Sequence, residues 1–133
     1  VEEQSVSFTV PLIPPSCNHY VKHTRSGRHY LTPEATKFKA DMQHFVGFQH
    51  VVGEYFTVEA TIYLGAKQKG DVDGFAKVLL DALADLRVFR TVKKGLAVAV
   101  SDAHVFDLHL RKRRDVANPR TEITVRAIKR GTF

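Results

Sequence analysis

Nine consecutive residues in the middle of the chain, Phe56 to Leu64, alternate without interruption. Phe56, Val58, Ala60, Ile62 and Leu64 are apolar, and Thr57, Glu59, Thr61 and Tyr63 stand between them. A period of two puts every apolar side chain on one face of an extended strand, so the segment needs a sheet to pair with and a layer to cover its apolar face. Helical spacing supplies the cover. Thr32-Pro33-Glu34 reads as an N-cap, a first-turn proline and a first-turn acid, followed by Phe38, Met42, Phe45, Val46 and Gln49 over about residues 33–48. A second helix is expected over about residues 73–86, with Phe75, Val78, Leu79, Ala82 and Leu86 on its apolar side. Further strands are expected at residues 5–10 and 105–110, where Phe106, Leu108 and Leu110 oppose Val105, Asp107 and His109, and at residues 122–128. Residues 88–100 read as a hairpin turning at Lys93-Lys94-Gly95. The order β-α-β-α-β-β-β describes a small α/β or α+β domain, a mixed sheet carrying two helices.

At 133 residues the chain has the size of one domain, residues 1–133. Its 44% hydrophobic and 26% charged residues exclude a disordered tail, and no apolar run reaches the ~20 residues of a spanning helix. The opening VEEQS has neither the basic start nor the apolar core of a secretory leader, and Val at position 1 reads as a trimmed chain. Cys17 is the single cysteine, which excludes an internal disulfide and fits an intracellular protein. The net charge of +6 points to an acidic partner.

Two segments resist regular structure. PLIPPS places three prolines in five residues, and residues 16–31 form a polar stretch readable as an irregular loop or a short hairpin. GAKQKGDVDG then breaks the chain before the second helix. Asp71 and Asp73 lie one residue apart there; on an extended backbone their carboxylates point the same way and would repel unless a cation sat between them. Hard oxygen donors of this kind suit Mg²⁺ or Mn²⁺. The plainer reading makes Asp73 an N-cap and Asp73–Lys77–Asp81 a run of i,i+4 ion pairs. A calcium loop is excluded, because its fifth, sixth and twelfth positions would be Phe75, Ala76 and Ala82.

The segments PLIPPSCNHY, TPEATKFK, GDVDGFAKVLLDAL and SDAHV, in that order, resemble the RusA-type Holliday junction resolvases over about residues 6–105. Pro14, Pro15, Ser16 and Asn18 match the family's proline segment. The resemblance implies that Asp71, Asp73 and Asp102 are catalytic, metal-binding carboxylates and that Lys77 is the catalytic lysine. Lys69 stands where the family tends to have a basic residue. Gly74 departs from the usual asparagine, Ser101 from the usual first acid of a pair, and residues 88–100 from the family's shorter connection. The implied activity is Mg²⁺-dependent hydrolysis of phosphodiesters in four-way DNA junctions by a homodimer, in a DNA-associated, intracellular setting. The alternative is a junction-binding protein of this fold that cuts weakly or not at all.

DNA contacts are expected from Lys69, Asn18, Tyr20, Lys22, Arg25 and Arg28, with Lys37 and Lys39 extending that cluster and Arg111–Lys112–Arg113–Arg114 forming another. Either cluster also reads as a solvated face. His104, two residues beyond Asp102, reads as an ordinary surface histidine, and Phe38, Phe45 and Phe75 read as core.

Overall fold

The computed structural model describes residues 4–15, 21–23 and 29–128. The fold is α+β: mixed sheets and two helices in one small unit. Strands β1 (Ser5–Val10), β5 (Tyr55–Leu64), β8 (Val105–Arg114) and β9 (Arg120–Ile128) form the main sheet in the order β1-β9-β5-β8. β9 runs antiparallel to both β1 and β5, while β8 runs parallel to β5 at the sheet's edge. A second, three-stranded sheet has the order β4 (Val51–Val52), β6 (Phe89–Lys93), β7 (Leu96–Ala99). β2 (Val21–His23) and β3 (His29–Leu31) form a short antiparallel hairpin, which settles part of the polar stretch.

β5 alternates as its sequence requires, with all five apolar residues buried. Helices α1 (Pro33–Val46) and α2 (Ala76–Asp85) cover that face. α1 begins as expected: the Thr32 hydroxyl accepts from the Ala35 amide at 3.3 Å, and Pro33 opens the first turn. Its buried stripe is Ala35, Phe38, Met42 and Val46; Phe45 lies beside that stripe and is 41% exposed, so it is not core. α2 buries Val78, Leu79, Ala82 and Leu83. One 3₁₀ turn (Asp73–Phe75) leads into it, where the periodicity predicts α-helix from Asp73.

β8 departs from simple alternation. Phe56 pairs with Val105 but Thr57 pairs with Asp107, so Phe106 is an extra, bulged residue. The bulge turns Val105, Leu108 and Leu110 toward the helices together, and sends Phe106 onto the Tyr55 ring at 4.4 Å. The expected grouping of Phe106 with the two leucines fails for that reason.

Candidate active site

α2 runs back across the sheet from the C-terminal end of β5, and it distributes the acids. Its leading loop is held from β8. The Lys112 ammonium donates to the Gly70 carbonyl at 2.9 Å, and the Arg114 guanidinium donates to the carbonyls of Gly65 and Ala66. Gly70 sits at φ +152°, and a Cβ there would lie 2.4 Å from the Phe75 ring. Phe75 is buried against Ile62 and Leu64, with Ile13 of the proline segment beside it. The acid-bearing turn thus rests on an apolar plug and two cationic clamps.

Asp71 and Asp73 emerge from this turn exposed. The backbone is not extended here: Val72 is right-handed helical (φ −54°, ψ −46°), and the Gly74 amide donates to the Asp71 carbonyl at 3.0 Å. At about three residues per turn, side chains i and i+2 diverge instead of pointing together. Neither acid is a cap. The residues preceding the 3₁₀ turn and α2 are Val72 and Phe75, and neither end carries a side-chain cap bond. Among the described residues neither Asp71 nor Asp73 has a side-chain hydrogen bond or ion pair. The Asp73–Lys77 pair of the plain reading is absent; Lys77 instead lies 3.6 Å from Asp81.

Asp102 opens a second 3₁₀ turn (Asp102–His104), where the Ser101 hydroxyl accepts from the Ala103 amide at 3.3 Å. This turn precedes β8 and packs on α2 beside Asp81. Partial burial raises the Asp102 pKa, and the facing Asp81 carboxyl, which repels it and shares a hydrogen bond with it, raises it further; Lys77 opposes both. Asp81 and Asp73 are eight residues apart, about 12 Å along a helix axis. Asp102 therefore joins Asp81 and Lys77, one end of the row, while Asp71 and Asp73 lie at the other. Among the described residues no group of three His, Cys, Asp or Glu side chains lies close enough to hold a metal. Hard oxygens in pairs do suit Mg²⁺, which keeps several waters and binds through one or two carboxylates. The mutual repulsion of Asp81 and Asp102 is what a cation between them would relieve.

Asp73 also borders a cleft of about 480 Å³ between α2 and β8, lined by Val72, Ala76, Leu108 and Leu110. His104 is occupied elsewhere, with Nδ1 3.1 Å from the Glu54 carbonyl and the ring stacked on Tyr55. Lys69 is exposed on the acid-bearing loop, and Pro14 is buried. Lys37 and Lys39 are engaged by Asp41 and Asp85. Ser16, Asn18, Tyr20, Arg25 and Arg28 lie outside the described residues, as does the side chain of Lys22. Asp81 is not among the sequence-expected site residues, and Lys112 and Arg114, expected as DNA contacts, instead hold the acid-bearing loop. The four-residue spacing Asp73–Lys77–Asp81 was the available signal for Asp81.

Set against known proteins, the chain matches no family model, and no curated protein matches it significantly.

Among the described residues no helix is long and apolar enough to cross a membrane.

Proposed function

We propose that the protein is a Mg²⁺-dependent endonuclease of the RusA type that acts as a homodimer on four-way DNA junctions. The observation that carries this reading is the row of acids and a lysine that follows α2, exposed at one end and half-buried at the other. Two carboxylates with no structural partner, Asp71 and Asp73, are followed by Lys77 and then by the crowded Asp81–Asp102 pair. Carboxylates without a structural task beside a lysine suit phosphodiester hydrolysis better than scaffold maintenance.

Asp102 with Asp81 would hold one cation, while Asp71 and Asp73, which diverge at the other end of the row, would each offer a single carboxylate to another; the cation's chemistry is to lower the pKa of a bound water and neutralise charge on the scissile phosphate. Mn²⁺ offers the same donor preference. Lys77, 64% exposed at mid-row, supplies a fixed positive charge for the phosphate. Lys112 and Arg114 are positioning residues: they hold the loop that carries Asp71. The separation of Asp102 from Asp71 and Asp73 favours a second reading, a junction-binding protein that does not cut.

A synthetic four-way junction separates the two. Paired nicks are expected with Mg²⁺, none with EDTA, and none from Asp102→Asn or Asp73→Asn. Tight binding without nicks, indifferent to Mg²⁺ and to both variants, would establish the binding protein instead.

A further inference from the structure

The turn joining β6 to β7, Lys94-Gly95, holds both residues at positive φ (51° and 79°). This is the twist-matched geometry that keeps hairpin strands paired up to the turn. Lys93 accordingly faces Leu96, Val92 faces Ala97, Thr91 faces Val98 and Arg90 faces Ala99. Just beyond, the Val100 amide donates to the Phe89 carbonyl at 2.9 Å. Backbone groups alternate in direction along an antiparallel strand. Leu96, Val98 and Val100 therefore turn theirs toward β6, and Ala97 and Ala99 turn theirs outward. Among the described residues no strand lies beyond β7. All four of its residues are exposed, Leu96 at 70% and Val98 at 40%, and none is charged. Edge strands are normally protected by charges, prolines or bulges. This one has none of these.

We infer that β7 is where two copies of this chain join, edge to edge and antiparallel, about a two-fold axis at Val98. The outward groups of Ala97 and Ala99 fix the register: Ala97 of one copy pairs with the partner's Ala99, and the reverse, giving four backbone hydrogen bonds. Val98 then meets the partner's Val98, and Leu96 meets the partner's Val100. Those side chains lie on the face where Val100 already packs against the core, so the contact lengthens an existing apolar stripe. Each match occurs twice because the symmetry repeats it, which a second copy satisfies better than an unrelated strand. The inference deepens the homodimer part of the proposed function and does not rest on the nuclease part.

Sedimentation of the full chain across a wide concentration range tests it. Val98→Lys places like charges on the axis, and Ala97→Pro removes an outward amide that the hairpin itself does not use. Each is expected to weaken dimerisation by on the order of 100-fold, with circular dichroism unchanged and with melting unchanged at concentrations low enough that the wild type is also monomeric. A dimer indifferent to Val98→Lys and Ala97→Pro would overturn the location and leave the homodimer standing. A chain monomeric at every concentration would overturn both.

Discussion

Asp102 titrates against its surroundings. Partial burial and the facing Asp81 disfavour its charged form, so its folded pKa lies above the ordinary 3.8. In the window between those two values the folded chain binds more protons than the unfolded chain, so stability falls as pH rises through it. Below 3.8 both forms carry the proton and the penalty disappears. Asp102→Asn removes the titration altogether. The variant is therefore expected to melt at a higher temperature than the wild type at neutral pH, with the difference closing as the pH drops below that of an ordinary aspartate. Melting curves at several pH values measure this, and a constant difference would show that the titration of Asp102 is not its source. Mg²⁺ acts on the same strain: it is expected to raise the melting temperature of the wild type and not that of the variant.

At the scale of elements, the acid-bearing loop is held by side chains of a strand distant in sequence. Arg114 donates to two carbonyls, Gly65 and Ala66, and Lys112 to one, Gly70. Arg114→Met keeps the length of the side chain and loses both bonds. It is expected to increase amide exchange across residues 66–70 by about tenfold, leave the β5 core protected, and lower cleavage through misplacement of Asp71. Exchange mapped by mass spectrometry checks it; unchanged exchange would remove the clamp from the account. The clamp also marks where sequence reasoning stops. β5 and α1 were legible because their determinants are local: strict alternation in one, Thr32-Pro33-Glu34 and a buried stripe in the other. The bulge at Phe106 was not, because it is defined against the parallel partner β5. The convergence of Asp71 and Asp73 expected of an extended backbone is lost because Val72 is helical, a choice made by the turn that Gly70 and Phe75 fix. Asp102 could be placed near α2 only after the chain had returned through β6 and β7, so its neighbour Asp81 read as one half of a surface ion pair.

For the whole molecule, the 20 lysines and arginines overstate the number of cations free to meet a polyanion. Lys37 and Lys39 are engaged by Asp41 and Asp85, Arg120 by Asp115 and Glu122, and Lys112 and Arg114 by the loop carbonyls. Strand alternation sorts the basic run of β8, since Arg111 and Arg113 pair with Thr61 and Tyr63 on the face away from the helices. Arg111 is left for phosphates by this division of labour, and Arg113 shares that face while its guanidinium donates to the Lys112 carbonyl at 2.9 Å. Each phosphate contact releases condensed counterions and steepens the fall of affinity with salt by about 0.9 in logarithmic slope. Arg111→Ala and Arg113→Ala are therefore each expected to flatten the salt dependence of junction binding by about that amount. Lys37→Ala, whose charge is already neutralised locally, is expected to leave it unchanged. Binding titrations over a range of salt concentrations read the slopes directly. Equal slopes for all three variants would mean that DNA approaches from the side of α2 alone, and that the outer face of the sheet serves another partner.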